Sequence, residues 1–175
     1  MMDDMQQVRT IIQGEFAVSS CADQVFATVL GSCVAVCLTD PSRGIGGMNH
    51  FLLPGRRATD GHDIRYGAYL MELLINGLLK AGACKRDMRA KVFGGAWMGA
   101  TPTDIGAGNV AFAQEFLASE GIPILSSSVG GTKGRKIRFW PGTGRAQQSL
   151  LGDASGLAVT EVPTRHKAAA SVTLF

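Results

Sequence analysis

Two residues of this chain have the type and setting for nucleophilic chemistry, Cys33 and His50. Cys33 follows Gly31-Ser32 in the segment LGSCVAVC and precedes an apolar run. A glycine-serine break lets the backbone turn and expose a sulfur, and a strand after it fixes the position. Free amides beside such a turn could hold an oxyanion. The competing reading is a small buried apolar residue, which residue type alone favours, because free cysteines are among the most buried side chains. An unaided thiol has a pKa of about 8.5, so a cysteine nucleophile needs an imidazole nearby. Of the three histidines, His166 lies in a weakly patterned segment and His62, in TDGHD, reads as a helix-entry residue. His50 stands in GGMNHFLL between apolar neighbours, either as a satisfied core residue or as a base. Alone the core reading wins; next to a turn cysteine on a neighbouring strand the two come closer.

Other motifs are weaker. Cys33 and Cys37 lack the C-x2-C spacing of a zinc knuckle, no second cysteine pair follows, and Cys37 reads as core. Gly106-Ala107-Gly108-Asn109-Val110-Ala111 matches G-x-G-x-x-A at a helix start. TPTD rather than a strand precedes it, and no acid follows near Ser127 and Ser128, so the dinucleotide reading fails. The loop from Gly130 to Arg135 misses the Walker spacing. No cofactor is implied.

The bulk numbers bound the rest. A chain of 175 residues fits one domain and can bury a core without disulfide or metal. Its 23 glycines imply many tight turns, which favours a strand-rich α+β domain over a helical bundle. A net charge of +3, dispersed, argues against nucleic acid; the one basic cluster, Arg135, Lys136 and Arg138, reads as a solvated strand face. The start, MMDDMQQVRT, has acids where a signal peptide carries lysine or arginine. The apolar stretch from Leu70 to Leu79 is interrupted by Glu72 and Asn76 and is too short to span a bilayer. The expected location is the cytoplasm, with Cys21, Cys33, Cys37 and Cys84 as reduced thiols.

The elements that must position Cys33 and His50 follow from periodicity. Strands are expected at 15–18, 26–30, 33–38, 48–53 (ending at Pro54-Gly55), 90–93, 122–125, around Ile137 and Phe139, and at 146–151. Helices are expected over 63–81, closed by Gly82, and 109–120, closed by Gly121. Short spacing between strands predicts antiparallel pairing in a layered β core with flanking helices; a doubly wound parallel sheet is the weaker alternative. Residues 1–12 read as a flexible lead-in, 13–151 as the domain, and 152–175 as a tail or partner-docking segment.

LGSCVAVCLTDP, GIGGMNHFLLP, KVFGGAWM, IGAGNV and GGTKGRKIRFWPGTGR, in that order, resemble the chemoreceptor glutamine deamidase family, CheD, over residues 13–150. The resemblance implies a β-sandwich-like core with surrounding helices, similar to bacterial toxin deamidases. It implies Cys33 as nucleophile and His50 as general base. A threonine upstream of LGSC completes the family's site; here that is Thr28, although some members carry it where this chain has Ala27. A one-residue shift along a strand flips a side chain, so the two positions are not equivalent. The implied substrates are glutamines on the cytoplasmic domains of methyl-accepting chemotaxis receptors, with no membrane insertion of the chain itself. The alternative is a binding module that modulates a CheC-type phosphatase of CheY, with Trp97 and Met98 as exposed contacts.

Overall fold

The computed structural model describes residues 6–53, 61–99, 103–152 and 173–175, and for 61–64 and 173 the backbone alone. Among these residues the chain forms β1 (Gln7–Thr10), β2 (Phe16–Ser19), β3 (Gln24–Leu30), β4 (Val34–Asp40) and β5 (Ile45–Phe51). Helix α1 (Gly61–Lys80), β6 (Arg89–Gly94), α2 (Ile105–Ser119) and β7 (Ile124–Val129) follow. The last strands are β8 (Arg135–Trp140), β9 (Arg145–Leu150) and β10 (Thr173–Leu174). They make two five-stranded sheets, the first in the order β1-β3-β8-β9-β10, the second β2-β5-β4-β6-β7.

Strands β4 and β5 are buried along their whole length, because the second sheet is covered on both faces. On one face Val34, Val36, Leu38 and Phe51 pack with Met71, Leu74, Leu78, Ala113 and Leu117 of the helices. On the other, Ala35, Cys37 and Met48 pack with Phe26, Leu30, Ile137 and Phe139 of the first sheet. The result is three layers, helices on sheet on sheet, as an apolar sheet face and helix stripe require. This is the layered α+β class expected. Helix α1 approaches β5 so closely that a Cβ at Gly47 would lie 2.8 Å from Leu74 Cδ1.

Several expectations need correction. Pairing is not wholly antiparallel: β1 runs parallel to β3, and β6 parallel to β7. The second pair is joined through α2, and a helical crossover delivers the next strand in the same direction. Helix α2 begins at Ile105 rather than at 109, because Asp104 caps it, accepting from the Ala107 amide at 2.9 Å. Of the lead-in, residues 7–10 are a paired strand, while 1–5 lie outside the described residues. Of the tail, Thr173 and Leu174 pair with β9, and Phe175 packs edge-on against Phe93. Residues 153–172, His166 among them, and Pro54-Gly55 lie outside the described residues. Arg135 is not on a solvated face. Its buried guanidinium donates to Gly130 O at 2.8 Å and to Gly94 O at 3.4 Å, and so ties the 130–134 loop to the end of β6.

Leu74 is fully buried where α1 crosses the second sheet. Leu74→Ala is expected to cost about 2–5 kcal/mol, through lost burial plus a cavity. Urea unfolding should show a lower midpoint at an unchanged slope.

Candidate functional site

The two-residue period of strands decides which side chains meet. Cys33, Ala35 and Cys37 share one parity, and Ala35 and Cys37 face the first sheet. His50 is paired directly with Ala35, so it faces the same way. Across the gap, Phe26 and Leu30 of β3 point inward. Thr28 shares their parity and is 3% exposed, whereas Ala27 has the opposite parity. Thr28 Oγ1 stands 2.9 Å from His50 Nδ1, and this contact joins the two sheets.

Both groups converge on the carbonyl of Ile11, just beyond β1. Thr28 Oγ1 lies 2.7 Å from Ile11 O and His50 Nδ1 lies 3.2 Å from it. A carbonyl can only accept, and the threonine has one proton, which the shorter bond takes. The ring nitrogen must therefore carry a hydrogen, shared between Thr28 Oγ1 and Ile11 O. That assigns the Nδ1–H tautomer and leaves the Nε2 lone pair bare. Nε2 is buried and has no hydrogen-bond partner among the described residues. Burial lowers the pKa of the imidazole, and the Ile11 carbonyl opposes this. An imidazole 6% exposed, neutral, anchored at one nitrogen and bare at the other, is set up to accept a proton.

Cys33 stands where the chain crosses from β3 to β4, and this crossing is held from three sides. The Ala96 amide donates to Gly31 O at 2.9 Å, and the Gly95 amide to Cys33 O at 2.8 Å. Buried Asn109, on α2, donates through Nδ2 to Ser32 O at 2.8 Å and accepts from the Leu53 amide at 3.0 Å. Glycine is required here for contact: a Cβ at Gly94, whose φ is +108°, would fall 2.1 Å from Cys33 O. Gly106 packs the start of α2 equally tightly against the Gly95 carbonyl.

The thiol is half-buried and donates to Gln13 Oε1 at 3.7 Å. Desolvation raises its pKa, and its own backbone amide pulls the other way. Among the described residues neither nitrogen of His50 hydrogen-bonds the sulfur. Desolvation thus favours the neutral form of both the thiol and the imidazole, and no hydrogen bond between them is present among the described residues. A cavity of about 260 Å³ borders His50, Thr28 and Gln13, with Lys136 on its wall. Cys37 is a buried core residue whose thiol is pushed strongly upward by desolvation. Among the described residues no three His, Cys, Asp or Glu side chains gather as a metal site.

A family model described as CheD chemotactic sensory transduction matches residues 52–149, more than half of the chain. The chain belongs to the CheD family. It is 54% identical over 166 residues to the probable chemoreceptor glutamine deamidase CheD of Agrobacterium fabrum, covering 94% of this chain and 92% of that protein. It is 53% identical to the protein of the same name from Caulobacter sp., over 88% of this chain and 83% of that one. The probable chemoreceptor glutamine deamidase CheD 1 of Ruegeria sp. is 49% identical, over 95% and 94%. A solved structure, the Bacillus licheniformis hypothetical protein YfiH, is a partial likeness: TM-score 0.44 and 15% identity, over 70% of this chain and 59% of that one.

Of the positions named from the sequence, the structure joins His50 and Thr28 by a hydrogen bond and places Cys33 against Gln13, which borders the same cavity. Sequence reasoning missed Gln13, Asn109 and the Ile11 carbonyl. Asn109 did leave a signal, a polar residue on the apolar side of α2. Gln13 left only Gln-Gly, a turn dipeptide. A carbonyl leaves none. Of His62 only the backbone, in the first turn of α1, is described.

Because burial raises its pKa, Cys33 should be alkylated by iodoacetamide along a pH profile centred above the ordinary thiol value of about 8.5. Peptide mass spectrometry resolves it from the other cysteines. A midpoint at or below neutral pH would reveal a resting thiolate–imidazolium pair instead.

Proposed function

We propose that this chain is a protein-glutamine deamidase. On this reading it hydrolyses glutamine side chains of methyl-accepting chemotaxis receptors to glutamate, working in the cytoplasm. The single observation that carries the mechanism is the bare, buried Nε2 of His50, opposite an Nδ1 fixed by Thr28 and Ile11 O. The names of relatives sharing about half their residues with this chain support the substrate class. No described helix is long and apolar enough to cross a membrane.

In the proposed reaction a receptor carboxamide enters beside Cys33 and displaces water and the Gln13 side chain. Catalytic hydrogen bonds commonly tighten when substrate binds. Nε2 takes the thiol proton, and the sulfur attacks the amide carbon. Amides at the Gly31–Cys33 turn receive the oxyanion. Imidazolium returns the proton to the departing ammonia. Water, deprotonated at Nε2, then cleaves the thioester, so each cycle consumes one water and releases one ammonia. Thr28 acts through His50, as a positioning residue that keeps the hydrogen on Nδ1.

A second reading, docking to a CheC-type phosphatase, draws on Trp97 and Met98, which are 49% and 56% exposed beside the Cys33 turn. Capture of such a phosphatase that Trp97→Ala abolishes, without loss of deamidation, would give this face a separate role.

Receptor cytoplasmic fragments incubated with the protein and analysed by peptide mass spectrometry test the enzymatic reading. Cys33→Ala should remove conversion altogether. His50→Ala should slow it by about 10²–10⁴-fold, the range for a lost general base. Thr28→Val should lower kcat about five- to hundredfold with KM little changed, since the ring is then held only by the longer bond to Ile11 O. Undiminished conversion by Cys33→Ala would end the thiol mechanism.

A further inference from the structure

The side chain touching the nucleophile is itself a glutamine. Gln13 sits in a tight turn spanning Ile12–Glu15, closed by the Glu15 amide on Ile12 O at 3.0 Å. Gly14 takes the third position with φ +87°, the conformation a type II turn asks of glycine. Glu15 adds a carboxylate oxygen 3.1 Å from the Ile12 amide. Two more backbone bonds fasten the turn to the strand carrying the base: the Gly14 amide on His50 O at 2.8 Å, and the His50 amide on Glu15 O at 3.0 Å. The backbone bearing Gln13 is thus fixed relative to His50, while its side chain is exposed at the tip. Its carboxamide oxygen accepts from Cys33 Sγ and lies by the cavity that His50 and Thr28 line.

We propose that Gln13 is an internal substrate, deamidated by Cys33 of the same chain to leave glutamate at position 13. This inference rests on the deamidase reading above. A group held at a nucleophile by the fold reacts as though at very high concentration. The oxygen now faces the sulfur. The terminal torsion of a glutamine is broad, so turning the amide to present its carbon costs little. The thiol proton passes to His50 Nε2 and a bond forms between sulfur and the Gln13 amide carbon. The carbon–nitrogen bond breaks, and ammonia leaves with the proton returned by the imidazole. Water adds to the thioester, the sulfur–carbon bond breaks, and the thiol is restored. One water is consumed and one ammonia released, with no other reactant.

The test is peptide mass spectrometry of the purified chain over a time course, at two protein concentrations, beside Cys33→Ala and Cys33→Ser. Trypsin releases Gln13 in the peptide 10–43, and fragmentation separates it from Gln24. The expected result is glutamate at position 13 in the wild type, either present on isolation or accumulating at a rate independent of concentration, and intact glutamine in both variants. Conversion in the variants as well, or at a rate that rises with concentration, overturns the proposal. So does intact Gln13 in a wild-type sample that converts receptor glutamines, and that result leaves the deamidase reading standing. A sample that converts neither removes both.

Discussion

The structure depends on one crossing. Between Leu30 and Val34 the chain leaves the first sheet and enters the second, and three consecutive carbonyls, of Gly31, Ser32 and Cys33, are each taken by a donor from elsewhere in the fold. Two donors are the amides of Gly95 and Ala96, past the end of β6. The third is the side chain of Asn109 on α2. A buried carbonyl without a partner costs about 1–3 kcal/mol, so each clamp has a specific reason to persist. The glycines at 94, 95 and 106 follow from it, because the donors reach the carbonyls only if three backbone segments approach within the space a Cβ would fill. Cys33, the proposed nucleophile, rides on a backbone held at three successive carbonyls.

Burial of Cys33 and His50 then biases both toward their neutral forms. A thiol losing water holds its proton more tightly, and an imidazole losing water holds one less tightly. Each favours neutrality, and among the described residues no hydrogen bond pairs them. A thiol kept neutral is slow toward stray electrophiles and oxidants, since the thiolate is the reactive form. On the proposed mechanism, activation would wait for a carboxamide to seal the site, when dry surroundings strengthen the interactions that form there.

Much of this was legible in the sequence. LGSC followed by an apolar strand marked the turn, and GGMNHF placed a histidine on a strand of the right parity. The uncertainty between Ala27 and Thr28 was a question of strand phase. Phe26 and Leu30 on either side of Thr28 show that Thr28, not Ala27, faces the second sheet, because alternate residues share a face. What was not legible depended on groups without sequence identity or on distant partners. The Ile11 carbonyl is identical to every other carbonyl until the fold directs it. The β1 strand, polar and exposed along its four residues, has no apolar alternation to read, and its parallel pairing with β3 is tertiary. Arg135 looked like a solvent residue because its partners, Gly94 O at the end of β6 and Gly130 O in a loop, are backbone atoms of other segments.

The Thr28–His50 hydrogen bond is a strut between two layers that otherwise meet largely through apolar side chains. Dispersion and hydrophobic contacts tolerate a small lateral slide, whereas a directional bond of 2.9 Å does not. The imidazole therefore reports the registry of one sheet on the other. Solvents, heat or distant core substitutions that let the layers shear by a fraction of an ångström would turn the ring and silence its free nitrogen, while the fold as a whole stayed intact.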